Sequence, residues 1–120
     1  MFKLPRTKQR VFNKVVRHLL TQNKASVMGV VCCYRGRDGL MCDAGCLIPD
    51  ENYDKSMEST SWVELIKNGE VPSNHKDLIY SLQRVHDMFG VEEWPEKLNE
   101  IAKKYNLDPS YVEKYRKDKS

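Results

Sequence analysis

The four cysteines carry the most versatile chemistry in this chain, and all lie in one short segment: Cys32, Cys33, Cys42 and Cys46. Tetrahedral zinc sites usually use close pairs of the CxxC type, and none occurs here. The conceivable zinc site would combine three cysteines with either of two histidines: Cys33, Cys42 and Cys46 with His18 or His86. The spacing instead favours thiols that pack as small apolar side chains. We therefore expect no metal and no cofactor.

A thiol nucleophile is the second chemistry that these residues suggest. Cys42 follows a predicted strand and could begin a helix, whose dipole lowers the pKa of a thiol. His86 is the candidate base, because a thiol enzyme needs an imidazole to accept its proton. Its sequence neighbour Asp87 is expected to orient it poorly. A Cys42/His86 thiol enzyme is therefore the third function we consider, and the sequence leans towards a protein that is not an enzyme.

The C-terminal residues offer nucleic-acid binding as a further function. Ala102, Leu107 and Val112 have the spacing of a helix-turn-helix, and Asn106 tolerates the left-handed conformation that Gly usually adopts at that corner. Five cations there could contact phosphates: Lys103, Lys104, Lys114, Arg116 and Lys117. Two short helices around such a corner also pack in many helical domains, and few side chains here could read bases.

Charge is segregated along the chain. Residues 1–37 hold nine basic residues and no acidic one, whereas residues 38–101 hold five basic and fourteen acidic residues. Such segregation is informative about partners rather than fold. The candidate binding residues for an acidic partner are a stripe on the first helix and two loop arginines: Arg10, Lys14, Arg17, Arg35 and Arg37. Alternatively, the basic segment packs beside the acidic middle and neutralises it.

The elements that position these residues follow from periodicity and turn signals. Apolar pairs four residues apart predict an amphipathic helix over Thr7–Gln22. A Val-rich run predicts a strand over Val27–Tyr34, starting in earnest after Gly29, and a turn at 35–39 leads to a return strand over Leu40–Cys42. Further helices are predicted at Trp62–Lys67, from Ser73 or Asn74 to about Met88, at Pro95–Tyr105 and from Asp108 onwards.

The predicted fold class is therefore α+β: a small β-hairpin packed against four or five helices, with helix dominating. A length of 120 residues indicates one domain over 1–120, of which we expect 1–6 and 117–120 to be flexible. The sequence shows neither a signal peptide nor a run approaching the roughly 18 apolar residues of a membrane span. A cytoplasmic protein with reduced cysteines is the expectation.

Several motifs resemble a family of small proteins that is common in tailed-phage genomes. They are the runs Cys33–Cys42 (CYRGRDGLMC) and Gly45–Tyr53 (GCLIPDENY), an opening helix Phe12–Leu20 (FNKVVRHLL), and Leu82–Asp87 (LQRVHD). The likeness covers roughly residues 8 to 107. It implies a phage context and location in the host cytoplasm, but no activity.

The function that these observations favour is that of a phage accessory protein that binds a host macromolecule, most simply a host protein, through its charged surfaces. This would be a role in host takeover or counter-defence. Nucleic-acid binding by the C-terminal helix pair is the alternative. No membrane partner is expected, and the oligomeric state is not encoded in any pattern we see.

Overall fold

A computed structural model describes residues 1–28 and 31–117 of the chain. The described residues form five α-helices: α1 (Lys8–Gln22), α2 (Trp62–Lys67), α3 (Lys76–Met88), α4 (Trp94–Lys104) and α5 (Ser110–Tyr115). They also contain two short strands, β1 (Val27–Met28) and β2 (Val31–Cys32). Turns of 3₁₀ helix occupy Arg37–Gly39, Gly45–Leu47, Asp50–Asn52, Lys55–Met57 and Val91–Glu93.

Helix α1 is the element on which the others pack, and it contacts α3, α4, α5 and the Gly45–Leu47 turn. Thr7 caps it, because the Thr7 hydroxyl accepts a hydrogen bond from the Arg10 N–H at 3.1 Å. Its apolar stripe is buried in full: Val11, Phe12, Val15, Val16, Leu19 and Leu20. Burial of this stripe fixes the rotation of α1 and leaves the opposite face at the surface.

The predicted α+β class is wrong, and the fold is α-helical. β1 and β2 pair antiparallel over two residues each, Val27 with Cys32 and Met28 with Val31, which is too little to form a β layer. The segment Val27–Tyr34, predicted as a single strand, therefore contains the two short strands β1 and β2, which pair with each other. Leu40–Cys42 is not a return strand, since a lone bridge between Arg35 and Met41 joins the two sides of the turn. Gly29 and Val30 lie outside the described residues.

The hairpin fails because distant side chains take the backbone groups that its ladder would need. The Met41 N–H donates to Gln22 Oε1 at 2.9 Å, and the Met41 carbonyl accepts from Gln22 Nε2 at 2.9 Å. On the other side, the N–H groups of Tyr34 and Arg35 each donate to a Glu58 carboxylate oxygen at 3.0 Å. The backbone is therefore satisfied without a sheet.

The helix predictions are confirmed to within a few residues. Ser61 caps α2 by accepting a hydrogen bond from the Glu64 N–H at 3.1 Å. Helix α3 begins at Lys76, after His75 in the left-handed conformation, rather than at a cap of Ser73 or Asn74. In the described part of the chain, no helix is long and apolar enough to cross a membrane. The prediction that 117–120 frays falls mostly on residues 118–120, which lie outside the described residues.

Candidate functional site

The solvent-facing side of α1 is a basic surface. Arg10, Lys14 and Arg17 are exposed, and their spacing places them opposite the buried stripe. We call these three residues the α1 basic face. None of them belongs to any of the ion pairs found among the residues that the structure describes. These cations are therefore available to a partner.

The two loop arginines have different roles. Arg37 is exposed in a loop that is held against α1, because His18 Nε2 and Gln22 Nε2 both contact the Met41 carbonyl, at 2.8 and 2.9 Å. Arg37 therefore belongs to the same side of the molecule as the C-terminal half of α1. It adds to the exposed cations of the basic segment.

Arg35 instead stabilises the loop that follows it. Its guanidinium pairs with Asp50 at 2.6 Å, donates to the Ile48 carbonyl at 2.6 Å and lies 5.0 Å from the centre of the Tyr53 ring. The Arg35–Asp50 pair is the one ion pair recorded between the basic segment and the acidic middle within residues 1–28 and 31–117. Mutual neutralisation of the two segments therefore has little support, and Arg35 is a structural residue.

The C-terminal helix pair has the predicted corner. Asn106 is left-handed, with φ of 57°, the Leu107 N–H donates to the Ala102 carbonyl at 2.7 Å, and Val112 is buried. However, α5 has only six residues, about 9 Å of helix, and its two tyrosines pack against the core.

The cations of this pair differ in their surroundings. Arg116 is half-buried and pairs with Glu113 at 2.9 Å. Lys103, Lys104, Lys114 and Lys117 are exposed. Because α5 offers a short and weakly basic outer face, nucleic-acid binding here stays a prediction.

The cysteines do not assemble the zinc site that the sequence made conceivable. Cys33 and Cys42 are buried, Cys46 donates to the Asp43 carbonyl at 3.0 Å, and His18 points to the Met41 carbonyl. Among the described residues, a different group has metal-ligand proximity: Cys32, His86 and Asp87 have ligand atoms within 4.8 Å of one another. The cysteine beside His86 is thus Cys32, on β2, rather than Cys42.

A hydrogen-bonded cluster surrounds this cysteine, and we call it the thiol cluster (Cys32, Gln83, His86, Asp87). Cys32 Sγ lies 3.7 Å from His86 Nδ1, and Asp87 Oδ1 lies 2.9 Å from the same nitrogen. Asp87 therefore does reach His86, contrary to the sequence-based expectation. Gln83 Nε2 donates to Cys32 Sγ at 3.1 Å and to Asp87 Oδ1 at 2.8 Å. The Ala44 N–H, which donates to Gln83 Oε1 at 3.0 Å, fixes that amide.

The backbone of Ser26 decides what His86 can do. The Ser26 N–H donates to His86 Nε2 at 2.8 Å, so Nε2 must keep its lone pair and the ring proton must sit on Nδ1. Nδ1 is the nitrogen that faces Cys32 and Asp87, and in this tautomer it is a donor. It can neither accept the thiol proton nor ligate a metal.

The ionisation of the Cys32 thiol agrees with this assignment, whereas the pKa of His86 taken alone favours a protonated ring. A hydrogen bond to Cys42 and burial raise the pKa of the Cys32 thiol far above its ordinary value, so the thiol stays protonated and weakly nucleophilic. Burial lowers the pKa of His86, but its hydrogen bonds to Asp87 and Cys32 outweigh burial and raise the pKa to about 9. A proton on Nε2 would nevertheless set two N–H groups facing each other at 2.8 Å in a buried site, so we assign the neutral ring.

Nitrogen NMR of the two imidazole nitrogens tests this assignment at neutral pH. We expect a pyridine-type signal from His86 Nε2, coupled across the hydrogen bond to the Ser26 amide, and a pyrrole-type signal from Nδ1. His18 and His75 serve as internal references, because a backbone carbonyl lies 2.8 or 3.0 Å from Nε2 of each ring. A proton on His86 Nε2 would contradict the assignment, and if Nδ1 then carried none, it would restore a base to the thiol-enzyme function.

Comparison of the chain with protein-family models, curated proteins and solved structures finds no match. The function is therefore argued from the surfaces and contacts above. Sequence reasoning found His86 and the α1 basic face, but it missed Cys32 and Gln83. The spacing of Gln83, three residues before His86 on one helical face, was the available signal for the latter.

Proposed function

We propose that this chain is a non-enzymatic binding protein that holds an acidic protein surface with the α1 basic face and Arg37. The observation that carries the proposal is the exposure of Arg10, Lys14 and Arg17 without an acidic partner among the described residues. Because the chain resembles tailed-phage proteins, we further propose that the partner is a protein of the host cell and that binding occurs in the host cytoplasm.

The layout of the α1 basic face supports a macromolecular partner. Its three cations are spaced four and three residues apart, so they span about 10 Å along one line of the helix. Burial of the opposite stripe prevents the helix from rotating these side chains away. A row of this kind steers an acidic surface and fixes its register, which is how complementary charges act at interfaces.

An enzymatic role is less well supported by the same structure. The thiol cluster has a protonated thiol, and its imidazole presents a donor to that thiol. Thiol enzymes need the reverse arrangement, in which the nitrogen facing sulfur accepts the proton. We therefore assign the thiol cluster a role in holding β1, β2 and α3 together rather than in catalysis.

A capture experiment tests the proposed function. Tagged wild-type protein and the variant R10A/K14A/R17A are incubated with a nuclease-treated bacterial lysate at low salt. We expect a host protein that the wild type retains and the variant loses, and that binds the purified wild type at least about tenfold more tightly than the variant. The matched control is K103A/K104A/K114A, which removes the same charge from the C-terminal pair.

The control separates the two binding functions. A host protein retained by the control but not by the α1 variant supports the proposal. Equal retention by both variants contradicts it. Salt-sensitive binding to duplex DNA that the C-terminal variant loses, together with no α1-dependent protein, would favour nucleic-acid binding instead.

A further inference from the structure

A second feature, on the acidic part of the chain, is a cavity of about 480 Å³ alongside α3. Five residues of α3 line it, at positions that form one continuous stripe: Lys76, Ile79, Tyr80, Gln83 and Asp87. Trp62 and Val63 of α2 line it too, as do Tyr34 and Cys32. This volume lies in the range of small-molecule sites in proteins.

The middle of the cavity is apolar and aromatic. Tyr34, Trp62, Ile79 and Tyr80 line it, and Tyr80 is 58% exposed although it is a large aromatic residue. The indole N–H of Trp62 is buried, and no acceptor for it lies within the described part of the chain. An aromatic lining with an unused donor is more typical of a binding site than of an ordinary surface groove.

One end of the cavity is negatively charged. Burial alone would raise the pKa of Asp87, but hydrogen bonds from His86, Cys32 and Gln83 hold it below its ordinary value, so the carboxylate is ionised. A positive charge on His86 would also lower the pKa of Asp87. The Ser26 contact, however, assigns that ring as neutral, so the groups that contact Asp87 carry no compensating positive charge. The Asp87 side chain is 39% exposed, so a ligand can reach it.

Two cations of α3 lie near the cavity. Lys76 precedes Asp87 by eleven residues on the same helix, about 16 Å along its axis. Arg84 is only three residues before Asp87, but it lies 5.9 Å from the centre of the Tyr80 ring, lines the neighbouring cavity and forms no ion pair with Asp87 among the described residues. The cavity therefore combines an ionised carboxylate with aromatic rings in its lining, the combination that recognises ammonium groups.

We propose that this cavity binds a small organic cation, an amine or alkylated ammonium on an aromatic or aliphatic body, with its charge at Asp87 and its body between Trp62, Ile79 and Tyr80. The proposal is independent of the α1 basic face, since the two sites share no residue.

Three small molecules that share a phenyl ring on a short alkyl chain but differ in charge test this proposal: phenethylammonium, phenethyl alcohol and phenylpropionate. Binding is followed by the NMR signals of the Trp62 indole N–H and the Gln83 side-chain amide. We expect phenethylammonium to shift both signals saturably at millimolar concentration. The alcohol should bind about tenfold more weakly, the effect of one lost charge contact, and the carboxylate should not bind.

Variants of the protein test which residues contact the charged group of the ligand and which contact its apolar body. D87N should weaken phenethylammonium about tenfold while leaving the alcohol unchanged. D77N is the matched control, because Asp77 lies on the same helix but lines the neighbouring cavity, and it should have no effect. Y80A, which alters an exposed residue, should weaken both ligands even if D87N perturbs folding. Equal binding of ammonium and alcohol, equal effects of D87N and D77N, or no shift with any probe would overturn the proposal.

Discussion

Replacing Glu58 with Ala is expected to lower the free energy of unfolding by about 3 kcal/mol or more. The Glu58 carboxylate accepts from the backbone N–H groups of Tyr34 and Arg35, at 3.0 Å each, and from the Tyr53 hydroxyl at 2.5 Å. The two backbone N–H groups have no partner on a neighbouring strand, because the predicted hairpin does not form. Each one left unsatisfied in a partly buried place costs about 1 kcal/mol or more.

Thermal and denaturant unfolding measure this loss, which for a domain of this size corresponds to a fall in Tm of about 10 °C. The isosteric variant E58Q should also be destabilised, because one amide nitrogen would face a backbone N–H. E64A is the matched control: Glu64 is exposed, and its one ion pair among the described residues is with Lys67, at 3.9 Å, so its loss should cost less than about 0.5 kcal/mol. If E58A were as stable as E64A, Glu58 would not be the element that replaces the missing strand.

The second large effect is expected from replacing Asp43, which should raise the free energy of unfolding at neutral pH. Asp43 is fully buried, and neither carboxyl oxygen has a hydrogen-bond partner among the residues that the structure describes. Burial, and then the negative charge of Asp87, raise the pKa of Asp43 well above its ordinary value. The folded protein therefore holds a proton on Asp43 that the unfolded chain releases at neutral pH.

Linkage fixes the pH dependence of this effect. Below the unfolded pKa, near 3.8, both states are protonated and Asp43 contributes nothing to the pH dependence. Above it, the unfolded state alone loses the proton, so stability falls by up to about 1.4 kcal/mol per pH unit until the folded pKa is reached. The variant D43N keeps the shape of the Asp43 side chain but has no carboxyl proton to release on unfolding. It should therefore be more stable than the wild type at neutral pH, with an advantage that disappears under acid.

Unfolding of wild type and D43N across acid to neutral pH measures this difference. D38N is the matched control, because it makes the same carboxyl-to-amide change at an exposed residue and should not stabilise the protein at neutral pH. If D43N were the less stable protein at neutral pH, the buried carboxyl would not lower stability there, which would contradict our account of this residue.

The helices could be predicted because their signals are local. A 3.6-residue apolar period and caps such as Thr7 and Ser61 act within one or two turns. The hairpin could not be predicted correctly, because its failure depends on Gln22 and Glu58, which lie far from it in sequence. No local pattern shows that these side chains satisfy Met41, Tyr34 and Arg35 before a second strand can.

The candidate sites were predictable to a similar extent. The α1 basic face follows directly from helical periodicity, and its exposure was foreseeable. The pairing of His86 with Cys32 rather than Cys42 depends on where β2 lies against α3. The role of the Ser26 N–H was beyond any sequence pattern, because every residue except proline carries such a donor. That contact and the protonated Cys32 thiol together argue against a thiol enzyme.

The most direct test of the central claim is a lysine footprint of the captured complex. Acetylation rates of Lys14, in the α1 basic face, are compared with those of Lys103 and Lys104 in free and bound wild-type protein. Our account predicts that partner binding protects Lys14 while Lys103 and Lys104 react as in the free protein. Protection of Lys103 and Lys104 with Lys14 still reactive would contradict it.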